Sequence, residues 1–277
     1  MPGVDRSRRA FGRPSGRPSG RLWVLAAALA MAGIVGGVLG AVVGALDVRL
    51  LFVVDAATCL GCALLLALAL PRGIGAEPEA DHNGADAPKP RPWRDRRLLG
   101  LLATGVVFAA IYLQVNATLG LTLEVRGIPG TRVGVVLATS ALTVVAAQPL
   151  LRRGPVARMS AWHTMACGYA LLGAGLLANA VAATLLQFAA AAVVWSVGEV
   201  LLIGPAYAIV ADIAPRPALA RYFAVYGLSW GVAAVVGPFA GTQLLEHAGP
   251  EGLWCSAAII CWALTLAQWP LRRLVSE

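Results

Sequence analysis

Apolar positions in this chain gather into long, nearly uninterrupted blocks separated by short polar connections. A bilayer core about 30 Å thick takes roughly 20 apolar residues in a helix. Eight stretches reach that length, at 22–46, 50–70, 98–123, 133–151, 159–178, 184–211, 222–245 and 252–271. They predict an all-α, polytopic transmembrane bundle of about eight helices. The first stretch is too long for a signal-peptide core and is rich in Gly rather than Leu, so it reads as a span. Three polar pieces remain: a tail at 1–21, a loop at 71–97 and a short end at 272–277. The tail carries the tandem repeat Gly12-Arg-Pro-Ser-Gly-Arg-Pro-Ser-Gly-Arg21, and the loop is Pro-rich, acidic first and basic after. Neither has the apolar content to form a core, so both are expected to be disordered.

Composition agrees with lipid as the second solvent. Of 277 residues, 58% are hydrophobic and only 13% charged, about half the charged share of a soluble domain. The formal charge of +8 comes from Arg at the ends of apolar runs, without interleaved base-stacking aromatics, so nucleic acid is not an expected partner. With eight spans both termini share one side. If that side is the cytoplasm, nineteen Arg and Lys residues fall inside and only Arg49, Arg126 and Arg132 outside. A bias of that size supports both the helix count and a multi-pass cell-membrane protein with cytoplasmic termini.

Ionisable groups at membrane depth are costly, so each one is a functional candidate. Glu199 lies far from either end of the sixth span, in Trp195-Ser-Val-Gly-Glu199. A carboxyl there can take up and release a proton as its access to water changes, or pair with a cationic substrate; a protonated Glu bonded to a neighbouring helix is the structural alternative. Asp55 lies near the outer end of the second span, where it could couple protons, cap the helix or pair with Arg49. Asp212, at the inner end of the sixth, reads as interfacial. On the third span Phe108, Tyr112 and Asn116 share a face at fourfold spacing, while Gln114 points the opposite way. With Trp195, those three are candidates for a substrate cavity, although helix–helix hydrogen bonding explains an amide and a phenol nearly as well.

Small residues and prolines suggest packing and hinges. Gly33, Gly37 and Gly40 lie in overlapping G-x-x-x-G pairs of the first span. Gly204-Pro205 is expected to break the sixth span, and Gly237-Pro238-Phe-Ala-Gly241 marks the seventh. Enzyme chemistry has no foothold. There is no phosphate-binding Gly-rich loop with its Lys, His82, His163 and His247 are scattered, and Cys59-Leu-Gly-Cys62 stands without a second ligand pair. Neither a cofactor nor a metal is expected, and the five cysteines read as small apolar residues.

Taken in order, these motifs resemble the major facilitator superfamily, particularly its drug:proton antiporters. Phe108-x-x-x-Tyr112-x-Gln114-x-x-x-Thr118-Leu, followed by Gly127 and Gly134, is similar to the seventh of that family's twelve helices. Gly198-Glu199, then Pro205 and Asp212-x-x-Pro215, resembles the tenth; Tyr222, Gly227 and Gly237-Pro-Phe-Ala-Gly241 resemble the eleventh. The Gly-rich first span and Arg49-Leu-Leu-Phe-Val-Val-Asp55-Ala-Ala-Thr58 look like the fifth and sixth, which would make 22–70 two helices of the N-terminal half, 71–97 the central cytoplasmic loop and 98–271 the six-helix C-terminal half. The resemblance implies a secondary transporter that exports a small or drug-like molecule in exchange for protons. Four helices of the usual twelve have no counterpart, nor does the family's Gly-x-x-x-Asp-Arg-x-Gly-Arg loop. Since such transporters bind substrate between two halves, one wall of the cavity is missing. The expectation divides between a transporter completed by dimerisation or a missing N-terminal half, a non-transporting truncated remnant, and a membrane interaction protein.

Overall fold

The computed structural model describes residues 91–151 and 156–276, together with Val53, Val54, Ala56, Ala57, Leu60 and Gly61. Chain contacts divide the protein into two compact units, Met1–Ala56 and Ala57–Glu277, and the second holds nearly all of the described residues. The expected tail, the first span with Gly33, Gly37 and Gly40, most of the second span with Asp55, Cys59 and Cys62, and the loop up to residue 90 lie outside the described residues, as do Arg152 and Arg153.

All regular structure among the described residues is helical. Helix α1 (Arg96–Val125) starts at Asp95, whose carboxylate accepts the Arg97 N–H at 2.9 Å and so satisfies one of the amides left open at a helix start. It ends at Gly127, which takes φ 74°, with Ile128 N–H bonded to the Leu123 carbonyl at 2.9 Å and Gly127 N–H to Glu124 at 2.9 Å. That pair of bonds is the Schellman cap, and its positive φ favours Gly. Helix α2 (Val133–Ala147) follows a short 3-10 turn, Gly130–Arg132, and runs into a second, Gln148–Leu151. Helix α3 (Ala161–Val181) is capped by Ser160. Helix α4 (Leu185–Ile213) begins with a capping box in which Thr184 and Gln187 bond each other's backbone. Helix α5 (Leu219–Ser276) is interrupted once, at Gly249, with φ 67° and ψ −178°, a combination essentially confined to Gly.

Helix α5 reverses direction at that residue. Gly105 and Ala110 of α1 meet Tyr226 and Gly237 of the first arm (219–248), so α1 and this arm run parallel. Near the beginning of α1, Gly100 lies against Leu271 and Leu274, whereas Arg126 at its end pairs with Glu251; the second arm (250–276) is therefore antiparallel to α1. Five helices are long and apolar enough to cross a membrane among the described residues, and α5 supplies two crossings. The break expected at Gly204-Pro205 does not occur: α4 continues through Pro205 to Ile213. Proline removes one N–H and crowds the carbonyl four residues back, which bends a helix. In lipid, released backbone groups find no water, so bending costs less than breaking.

The core lies between α1, α3, α4 and both arms of α5, with Leu98, Leu101, Leu119, Leu123, Tyr169, Leu176, Phe188 and Trp254 essentially inaccessible. Large apolar side chains also cover the outside, among them Val235 at 75%, Phe239 at 70% and Leu266 at 76% exposure. An apolar exterior continuous with an apolar core suits lipid rather than water. Cys167, Cys255 and Cys261 are free thiols.

Candidate functional site

Helix α4 carries Glu199 with 7% of its surface exposed. Its depth follows from the residue beside it. A Cβ placed on Gly198 would lie 2.6 Å from the Leu172 amide nitrogen and 2.7 Å from the Gly168 carbonyl oxygen, so only hydrogen fits where α4 meets α3. One turn earlier the Trp195 backbone presses on Gly175 in the same way. This seam anchors α4 and turns Glu199 about 100° away from it.

On that other side stands α1. The Tyr112 side chain faces the Glu199 carboxyl, near enough for the two to interact. The Tyr112 ring meets Trp230 of α5 edge to face at 5.4 Å, and Phe108 packs edge to face on Trp230 and on Tyr169, each at 6.2 Å. A second aromatic group, Tyr207 with Tyr226 at 5.2 Å and with Phe223 at 6.0 Å, adjoins it. Edge-to-face geometry aims ring hydrogens at π faces and favours such clusters. Between the groups is a pocket of about 10 Å³ lined by Phe108, Tyr169, Tyr207, Tyr226 and Trp230, about the space one water needs. Any larger occupant requires the helices to separate.

The structure thus brings Glu199, Tyr112 and Phe108 together, although neither Glu199 nor Tyr112 lines the pocket itself. Trp195 is buried against α3, on the seam rather than in the pocket, and its Nε1 has no partner. Asn116 is exposed, its amide donating to the Tyr112 carbonyl of its own helix at 2.9 Å. Gln114, on the opposite face, packs into the notch left by Gly241 of α5, and Gly237 sits on the Ala110 backbone. Pro238 lies within the first arm of α5. Gly204 is exposed and makes no close helix contact. Asp212 is exposed at the end of α4.

Sequence reasoning passed over several polar contacts. Ser196 donates to Ser140 at 2.8 Å, joining α4 to α2 within the buried region. Asp95 accepts the Tyr222 hydroxyl at 2.8 Å, tying the start of α1 to the start of α5. At the opposite end Arg126 pairs with Glu251 at 2.8 Å and donates to the Ala180 carbonyl, clasping α1, α3 and the Gly249 reversal. Asn179 is wholly buried with neither amide atom bonded. His, Cys, Asp and Glu form no metal-holding group among the described residues.

Residues 126–275 match the family model described as Major Facilitator Superfamily, a stretch that includes α2 to α4, all but the last residue of α5, and the carboxyl of Glu199. Among curated proteins, the chain is similar to the uncharacterized MFS-type transporter YhjO of Bacillus subtilis (strain 168), 33% identical over 91 residues. That alignment covers 33% of this chain and 22% of YhjO, so the chain spans about a fifth of that relative's length. No solved structure matches.

Proposed function

This chain belongs to the major facilitator superfamily, and from that premise we propose that it acts in proton-coupled export of a small amphipathic or drug-like compound across the cell membrane, with both termini cytoplasmic. The observation that carries the proposal is Glu199, a carboxyl held at mid-span by a closed helix seam and facing Tyr112 beside an aromatic pocket. A group so placed can hold a proton while sealed from water and exchange it when the helices part. Aromatic faces with one carboxyl suit a lipophilic cation, since ring faces attract positive charge and the carboxylate balances it. Proton and cation would then compete for one site, which is what links their movements in opposite directions. In this reading the six crossings after residue 91 form one wall of the transport path.

The test is uptake of a fluorescent lipophilic cation into inverted membrane vesicles carrying the full chain, with and without an imposed proton gradient. Wild type should accumulate the cation only when the gradient is present. Glu199→Gln keeps the shape and the hydrogen-bonding capacity but cannot ionise, and should abolish the gradient dependence. Gradient-driven uptake that survives Glu199→Gln would remove the carboxyl from the mechanism. No uptake by wild type would overturn transport by this chain alone.

A further inference from the structure

A second cavity, of about 370 Å³, opens at one end of the bundle between the start of α3 and the end of α5. It is lined by Trp162, His163, Gln268, Trp269, Arg272 and Arg273. Three features distinguish it from an ordinary gap. Gln268 is 3% exposed, and its amide nitrogen donates to the Leu264 carbonyl at 3.1 Å. A carbonyl can only accept, so the atom left over is the Gln268 oxygen, buried and without a partner. An unmet buried acceptor costs free energy until a donor arrives. Next, the two guanidinium groups sit one turn beyond Gln268, and Arg273 stacks over the Trp269 ring at 5.3 Å, a contact that fixes its direction. Finally, Trp269 is 70% and Leu266 76% exposed on the same helix, so the cavity borders the surface that faces acyl chains, with Trp162 and Trp269 at the depth where indoles mark the membrane interface.

We propose that this cavity binds the headgroup of a membrane phospholipid, specifically a phosphodiester whose head carries hydrogen-bond donors, such as phosphatidylglycerol. Arg272 and Arg273 hold the phosphate through charge-assisted hydrogen bonds. The glycerol hydroxyls give the Gln268 oxygen the donor it lacks, and the acyl chains lie along Leu266 and Trp269. The site is separate from the Glu199 region and needs no transport to be detected.

Native mass spectrometry of the full detergent-purified chain provides the test, with phosphatidylglycerol and phosphatidylcholine of identical acyl chains as probes. Phosphatidylcholine has the phosphate but no donor on its head. Wild type should retain one phosphatidylglycerol at roughly tenfold lower lipid concentration than phosphatidylcholine. Removing both cations with Arg272→Gln and Arg273→Gln should weaken retention of either lipid by roughly tenfold or more. Gln268→Leu, which fills the same space, should narrow the preference between the two headgroups and leave the part that the two Arg residues give the anionic lipid. Arg132→Gln, an equal charge loss at the opposite end of the bundle, should change nothing. Equal retention of the two lipids by wild type, or unchanged retention by the double Arg variant, would overturn the proposal. Displacement of the lipid by millimolar glycerol 3-phosphate would overturn it in favour of a water-soluble phosphate ester.

Discussion

Helix α4 meets two of its neighbours, α3 and α1, in opposite ways. Against α3 the contact is backbone to backbone, with Gly168, Gly175 and Gly198 leaving no room for even a methyl group. Against α1 the contact is sparse and falls to side chains, with Tyr112 reaching Glu199 across the gap. Close packing of small residues is what holds helices together in lipid, where no hydrophobic force drives them to each other. The seam therefore works as a fixed mount and the gap as a place where distance can change. Gly198 and Glu199 are adjacent in sequence, so one peptide joins the most rigid contact of the helix to its most adaptable one.

The largest expected effect breaks the mount. Gly198→Val forces side-chain atoms into the Leu172 and Gly168 backbones, which cannot yield as a flexible side chain would. It should destabilise the chain by about 1–3 kcal/mol, read as a lowered thermal unfolding midpoint in detergent. Gly231→Ala serves as the contrast, because a Cβ there meets nothing within 4 Å. Helix propensity then acts alone and should leave stability unchanged or raise it by up to about 1 kcal/mol. Equal midpoints for Gly198→Val and wild type would mean that the seam is not closed.

A smaller effect is expected across the gap. Tyr112→Phe keeps the ring against Phe108 and Trp230 and removes only the hydroxyl that faces Glu199. The stability loss should be about 0.5–1.5 kcal/mol, while the pH dependence of vesicle uptake moves relative to wild type because the carboxyl loses its neighbour. A loss as large as that of Gly198→Val would show the gap to be as tightly built as the seam, and the contrast between the two sides of α4 would fail.

What the sequence made legible follows the same division between depth and neighbours. The run 98–123 announces its helix because lipid demands length and apolarity, and α1 occupies Arg96–Val125. Glu199 stands out because a carboxyl so far from either end of an apolar run has to be explained. Neither signal says which helix lies opposite. Tyr112 and Glu199 meet across two helices far apart in the chain, and nothing local in either segment encodes that contact. Gln268 and Asn179 sit near span ends, where an amide ordinarily meets water, yet neighbouring helices bury both. Asp95 belongs to a charged stretch that reads as loop, and only the fold turns it into the cap of α1 and the partner of Tyr222. Pro205 misled in the other direction, since local chemistry favours a break and the solvent forbids one.

The smallest expected effect concerns another neighbour of α4, helix α2. Helix α2 buries little beyond Val136 and Ser140, so the bond from Ser196 to Ser140 is a large part of its specific attachment. Deleting the Ser140 hydroxyl leaves the Ser196 hydroxyl to find a new acceptor. In a helix it has one at hand, the backbone carbonyl oxygen one turn back, as Thr118 and Thr122 already use in α1 at 2.8 and 2.9 Å. That local refuge limits the penalty. A double-mutant cycle of Ser140→Ala and Ser196→Ala, followed by thermal unfolding, should give a coupling of about 0.6 kcal/mol, the usual worth of such bonds between membrane helices. A coupling near zero would mean that α2 is held to α4 by packing alone. A value above about 2 kcal/mol would exceed what an interhelical hydroxyl pair supplies in lipid, and would place α2 on the rigid side of the comparison, beside the glycine seam.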